Sequence, residues 1–351
     1  MILISKDSRR TGKDAGDSVE MSSEPVAEPQ QYLRASRRAT ATRPRVSHTH
    51  HLERRPGTER SFTRADNITT MILPGSATQA LAAELAAETG RGLAGVSFDR
   101  FADGERYLRV DIDAGAHVVV VASTVSDGAH VELLQLQDAA REAGASEITT
   151  VIPYMGYARQ DRAFDAGEPV SARAVARAIS TGTDRVVTVN PHEPAVCEYF
   201  DVPATAVDAA GVLSDPLPAL DDPLFLAPDA GARGLATAAR DTHGQGAVDH
   251  FEKTRHSDTA VEIEPSDAAV DGRDVVLVDD IVATGSTMSE AVAVLNERNA
   301  ARVYVACVHP VLAREAHTKL KRAGVEAVYG TDTIERSVSS VSVAPVIAAV
   351  L

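Results

Sequence analysis

Two adjacent carboxylates, Asp279 and Asp280, end an apolar run and precede a turn of small and hydroxylated residues: Val275 to Thr287 reads V-V-L-V-D-D-I-V-A-T-G-S-T. That order suits a sugar phosphate. Thr284, Gly285, Ser286 and Thr287, with Ala283 before them, offer backbone N–H groups and hydroxyls where a helix begins, and unpaired donors and the helix dipole favour a phosphate there. The aspartates at the strand end can accept sugar hydroxyls or hold a metal-bound sugar diphosphate. A plain helix-capping turn is the competing reading, since Thr, Ser and Asp all favour such positions. Lys253 and Arg255, in E-K-T-R, add cations of the kind that close over phosphates, with Arg suited to bidentate contact. A solvated strand edge is the alternative for that segment.

The aspartate-turn pattern resembles the phosphoribosyl-diphosphate loop of the type I phosphoribosyltransferase fold. A second segment narrows the choice. Pro153 to Asp161, P-Y-M-G-Y-A-R-Q-D, follows the apolar strand candidate Ile148 to Ile152 and closely resembles the nucleotide-binding stretch of ribose-phosphate diphosphokinases. The likeness runs along most of Met71 to Leu351 through F-A-D-G-E-R at Phe101 to Arg106, P-V-S-A-R at Pro169 to Arg173, His192, A-P-D-A-G at Ala227 to Gly231 and K-T-R at Lys253 to Arg255.

This resemblance implies transfer of a diphosphoryl group from ATP to the C1 hydroxyl of ribose 5-phosphate, with Mg2+ shielding the triphosphate. It assigns catalysis to Lys253 and Arg255, and nucleotide contacts to Phe101, Asp103, Glu105, Arg159, Gln160 and His192. The sugar phosphate falls to Asp279, Asp280, Ala283, Thr284, Gly285, Ser286 and Thr287, and the metal to His192 and Asp229. It further implies a homo-oligomer, because in the family the phenylalanine segment crosses to a neighbouring subunit's ATP. Two departures stand out: Asn190-Pro191-His192 replaces the family's Asp-Leu-His, and Ala227 and Ala232 replace Ser and Gly of S-P-D-x-G-G. A phosphoribosyltransferase that consumes the diphosphate, which would be expected to lack the P-Y-x-x-Y-A-R-Q-D segment, and a non-catalytic regulatory homologue are the competing functions.

The elements that must position these residues alternate. Strand candidates at Met71 to Leu73, Tyr107 to Ile112, His117 to Ala122, Ile148 to Ile152 and Arg185 to Val189 are interspersed with helical segments at Ala77 to Thr89, Val131 to Ala143 and Ala172 to Ser180. The first helix opens on S-A-T-Q, a capping-box pattern. After Asp208 to Asp222, read as an interdomain passage, the alternation resumes with strands at 224–227, 248–252, 259–264, 274–279, 302–308 and 325–329, and helices at 232–240, 286–298 and 311–323. The expected fold is α/β, with two similar phosphoribosyltransferase-like domains, 71–210 and 211–351. Each has a largely parallel sheet flanked by helices, and a disordered arm, 1–70, precedes them.

Charge divides the chain in the same place. Residues 1–70 carry 13 Lys and Arg against 9 Asp and Glu, without apolar periodicity, whereas residues 71–351 carry 22 against 41 and a net charge of −19. The arm cannot bury enough surface to offset its ordering entropy. It is basic yet lacks the aromatic interleaving of a nucleic-acid binder, and His48, His50 and His51 have no second ligand set. Lysine is scarce: residues 71–351 contain only Lys253, Lys319 and Lys321. An acidic, lysine-poor surface is the kind that keeps a protein hydrated in high salt. Cys197 and Cys307 are expected as reduced, buried thiols. M-I-L-I-S is too short for a secretory leader and no apolar run has transmembrane length, which points to a cytoplasmic protein working on small molecules rather than on nucleic acid or membrane.

Deleting residues 1–70 is expected to leave turnover and melting temperature essentially unchanged. A large loss of either, comparing the 71–351 chain with the full one, would make the arm a structural element.

Overall fold

The computed structural model describes residues 69–255, 261–265 and 268–351, with the backbone alone for 253–255 and 261–265. The predicted arm, with His48, His50 and His51, therefore lies outside the described residues apart from its last two positions.

In chain order the first half is β1 (Thr70–Pro74), α1 (Gln79–Thr89), β2 (Gly92–Leu93), β3 (Gly95–Arg100), β4 (Arg106–Asp111), β5 (His117–Val121), α2 (Asp127–Glu142), β6 (Glu147–Ile152), α3 (Ser171–Ser180), β7 (Arg185–Val189) and β8 (Ala204–Val207). The second half is β9 (Leu224–Ala227), α4 (Arg233–His243), β10 (Ala247–Arg255), β11 (Val261–Pro265), β12 (Asp274–Ile281), α5 (Ser286–Glu297), β13 (Arg302–His309), α6 (Ala316–Ala323), β14 (Ala327–Thr331), β15 (Ser339–Val341) and α7 (Ala344–Ala348). The first sheet runs β2-β1-β5-β6-β7-β8, parallel throughout. The second runs β11-β10-β9-β12-β13-β14-β15 and is parallel except for β11, which pairs antiparallel with β10. This is the predicted α/β architecture. Among the described residues no helix is long and apolar enough to cross a membrane.

Side chains alternate across a strand, so a buried parallel sheet needs a cover on both faces. Here one cover is shared. Val119, Val121, Val187 and Val189 of the first sheet lie in the same apolar layer as Val276, Val278, Ala306 and Val308 of the second. Leu81 and Leu85 of α1, Ala236 and Ala239 of α4 and Ile347 of α7 fill that layer. The opposite faces have their own covers: Val118, Val120, Ile148 and Ile152 pack in one outer core, and Val275, Leu277, Val303 and Val305 in the other.

The structure corrects several local expectations. Asp208 to Asp222, the interdomain passage, is itself folded: it contains a 3-10 turn, Ala210–Ser214, and Leu213 and Leu220 are buried in the shared layer. The capping box at S-A-T-Q does not form, because Ser76 gives both its N–H and its hydroxyl to Glu132, each at 2.7 Å. Helix α1 instead starts at Gln79, and Glu335 from the second half accepts the N–H groups of Ala80 and Leu81 at 2.8 and 3.2 Å. β4 belongs to an antiparallel hairpin with β3, outside the parallel sheet. Helix α6 begins at Ala316 rather than 311, since Leu312 and Arg314 have positive φ and the N–H groups of Leu312 and Ala313 bond Val282 O and Ala283 O at 2.9 Å. Both cysteines are free; Cys307 is buried as expected, but Cys197 only partly.

A polar tie joins the halves inside the apolar layer. His309, at the end of β13, places Nε2 at 3.1 Å from the carbonyl oxygen of Asn190 and Nδ1 at 2.9 Å from Thr333 Oγ1. A carbonyl only accepts, so Nε2 carries the proton and Nδ1 accepts from the Thr333 hydroxyl. Burial pushes the His309 pKa down to about 4. Unfolded histidine titrates near ~6.5, so the unfolded chain binds the extra proton first as pH falls. The stability contributed by neutral His309 is complete above that value and is lost as pH drops towards 4, on the order of 3 kcal/mol across the window. Denaturant titrations at a series of pH values should show this acid limb flattened in His309→Gln; an unchanged limb would remove His309 as its source.

Candidate active site

The carboxyl ends of the parallel strands in both sheets open on one cleft of about 690 Å³. Its lining includes Arg159 beyond β6, Asn190 and His192 beyond β7, Asp229 beyond β9, Asp279 and Asp280 at the end of β12, and Thr287 in α5. Strand ends of open α/β sheets are the ordinary place for ligands. The joining contact is His192 Nδ1 to Asp280 Oδ2 at 3.0 Å, one residue from each half.

The two aspartates diverge electrostatically. Burial raises the Asp279 carboxyl well above the usual carboxylate range, and the neighbouring charge of Asp280 adds to it. Burial pushes Asp280 up as well, but its hydrogen bond and ionic attraction to His192 outweigh that and hold it below its ordinary value. His192 is raised in turn, first by the Asp280 bond and against the opposing effect of burial. The contact with His192 thus favours the ionised form of Asp280, while burial beside that charge disfavours it at Asp279.

The turn from β12 to α5 stands directly before a helix N-terminus, as the sequence suggests. Gly285 has φ 72° and caps α5, whose first turn carries no acid. Side chains strain in that left-handed region, and a Cβ there would also stand 3.4 Å from Ala316 O and Leu320 Cγ. Its carbonyl accepts both the N–H and the hydroxyl of Ser289, at 2.9 and 2.8 Å. Ala283 is pinned through its carbonyl to Ala313, while Thr284 and Thr287 are exposed. One contact at the cradle had only the scarcity of lysine as a sequence signal: Lys319 Nζ, from α6, donates to Ser286 Oγ at 2.7 Å.

Other predicted site residues separate. Gln160 turns to α3, where its Oε1 accepts from Ser171 Oγ. Phe101, Asp103 and Glu105 sit at the turn of the β3–β4 hairpin, away from the cleft residues of their own chain, with Phe101 55% exposed. Lys253 and Arg255 belong to β10, but their side chains lie outside the described residues. Asp229 Oδ1 accepts the N–H groups of Gly231 and Ala232 at 3.0 and 3.3 Å.

The sequence departures have local reasons. Asn190, at φ 34°, donates through Nδ2 to Asp208 Oδ1 at 2.7 Å and accepts the Ala209 N–H at 2.7 Å. An aspartate at 190 would face Asp208 as a like charge. Ala232 has φ −85°, a conformation that does not call for glycine.

Among the described residues no group of three or more His, Cys, Asp or Glu forms a ready-made metal cage. Mg2+ seldom needs one. It binds through one or two carboxylates and keeps waters and substrate phosphate oxygens, which the donor set at this cleft fits.

Comparison with known proteins agrees with this geometry. Residues 70–182 match the model for the N-terminal domain of ribose phosphate pyrophosphokinase, and residues 224–344 match the phosphoribosyl transferase domain. A ribose-phosphate pyrophosphokinase of Halobacterium salinarum is 64% identical over 281 residues, covering 79% of this chain and 99% of the relative. The enzyme of the same name from Methanosarcina mazei is 47% identical over 283 residues, covering 80% and 94%. The crystal structure of phosphoribosylpyrophosphate synthetase from Mycobacterium smegmatis superimposes with a TM-score of 0.68 at 29% identity, over 80% of this chain and 97% of that one. The chain belongs to the ribose-phosphate pyrophosphokinase family.

Proposed function

We propose that this chain transfers the diphosphoryl group of ATP to the C1 hydroxyl of ribose 5-phosphate, giving 5-phosphoribosyl 1-diphosphate and AMP. The observation that carries the reading is the shared cleft, in which Asp279, Asp280 and Thr287 on either side of the β12–α5 turn and the residues beyond β6 and β7 line one space, linked by His192 and Asp280. We assign the nucleotide to the 71–210 half and the sugar phosphate to the 211–351 half, as two domains of one active site.

In this assignment the cradle 283–287 holds the 5-phosphate through its N–H groups and hydroxyls, and Asp279 and Asp280 accept the ribose hydroxyls. Arg159 contacts the nucleotide, Gln160, held by Ser171, steadies the segment that carries it, and Lys253 and Arg255 neutralise charge on the migrating group. The C1 oxygen bonds to the β-phosphorus as the α–β bridging P–O bond breaks, so catalysis rests on alignment and charge neutralisation. Magnesium, when bound, supplies neutralisation of the triphosphate, with His192 and Asp229 as the residues that would hold it. The exposed hairpin with Phe101, Asp103 and Glu105 fits a role at the ATP of a neighbouring copy, which makes the working form a homo-oligomer; Phe101 there would stack on adenine. The cytoplasm is the compartment where both substrates meet it.

Incubation with ribose 5-phosphate, ATP and Mg2+ at high salt should yield AMP and phosphoribosyl diphosphate in equal amounts; ADP would instead indicate single-phosphoryl transfer and contradict the assignment. Lys253→Ala is expected to lower the single-turnover rate about a hundredfold or more, typical of removing one preorganised charge, with ATP affinity little changed. A near-normal rate would favour the regulatory-homologue reading.

A further inference from the structure

Helix α6 packs beside the phosphate cradle, and one of its side chains reaches in. Lys319 Nζ lies 2.7 Å from Ser286 Oγ, on the first residue of α5. The Ser286 hydroxyl also receives Thr284 Oγ1 at 3.3 Å. Both of its acceptor sites are then filled, and its own proton is what it has left to offer a ligand. A donor hydroxyl, an ammonium and the N-terminal N–H groups of α5 therefore converge on one point.

Composition makes the lysine informative. Of the three lysines in 71–351, Lys321 is engaged with the carbonyls of Val325 and Glu326 at the end of its own helix, and Lys253 lies on β10. Of the two lysine side chains among the described residues, Lys319 is the one directed to the cradle. Its charge has a purpose there. Residues 282–287 carry no cation, and in the adjoining cleft Glu193, Asp208, Asp229, Asp279 and Asp280 outnumber Arg159 and His192, so a dianionic sugar phosphate approaches a surrounding with more acids than bases. Backbone dipoles at one helix end offset only part of that repulsion.

We propose that Lys319 binds the 5-phosphate of ribose 5-phosphate directly, with Ser286 as its hydroxyl partner. This rests on the reading of the β12–α5 turn as the sugar-phosphate cradle. A tether holding α6 to α5 is the competing role, and the two differ in what a neutral donor does. Glutamine at 319 keeps a hydrogen-bond donor for Ser286 but carries no charge; arginine keeps the charge.

The test compares Lys319→Gln, Lys319→Arg, Lys321→Gln and Thr287→Ala with the unaltered chain, reading kcat, KM for ribose 5-phosphate, KM for ATP and melting temperature. Lys319→Gln is expected to raise KM for ribose 5-phosphate about tenfold, the size of one charge-assisted hydrogen bond, with ATP KM and melting temperature unchanged. The difference should narrow as ionic strength rises, Lys319→Arg should recover most of it, and Lys321→Gln should match the unaltered chain. If Thr287→Ala raises KM for the sugar phosphate and Lys319→Gln does not, the cradle reading stands and the lysine assignment is overturned. If neither moves it, the cradle reading fails and takes the proposal with it. A lower melting temperature with both KM values shifting together in Lys319→Gln would show the tether and overturn phosphate binding.

Discussion

Two parallel sheets that share one apolar layer cannot slide or rotate past each other without exposing it, and that constraint sets everything at the cleft. Val119 and Val121 from one sheet and Val276 and Val278 from the other lie in the same buried layer. Fully burying a valine contributes about 1.5–3 kcal/mol, so even a few of them oppose separation strongly. The buried His309–Asn190 bond adds direction to a force that has none of its own. With the sheets fixed, their strand ends face a common space, and His192 meets Asp280.

Charge within that space is arranged for a ligand rather than for the empty protein. Asp279 and Asp280 are neighbours in a partly buried place, where two ionised carboxylates repel. The imidazole of His192 stabilises one of them, and the other rises in pKa. A cation placed beside both carboxylates would reverse that preference.

Features carried by short stretches of chain were legible in the sequence. The run Val275 to Val278, the aspartates and the Thr-Gly-Ser-Thr turn are read from adjacent residues, and β12, Gly285 and α5 stand where that reading puts them. Long-range competition was not legible. Ser76 looked like a helix cap because nothing nearby shows that Glu132, on α2, will take its N–H and hydroxyl. Asp208 to Asp222 looked like a linker because Pro and Asp outweigh Leu213 and Leu220, the residues that fold it into the shared layer. The stretch after Val311 looked helical, yet its N–H groups bond across to Val282 and Ala283. Asn190 looked like a lost carboxylate until Asp208 appeared opposite it.

The central claim is that the two halves act as one site through the contact between His192 and Asp280. A double-mutant cycle tests it most directly: kcat/KM measured for His192→Ala, Asp280→Asn, both together and the unaltered chain. The account predicts strong non-additivity, with a coupling energy of about 1 kcal/mol or more, because each substitution removes the partner that sets the other's charge. Effects that add to within about 0.5 kcal/mol would show the residues working independently and contradict it.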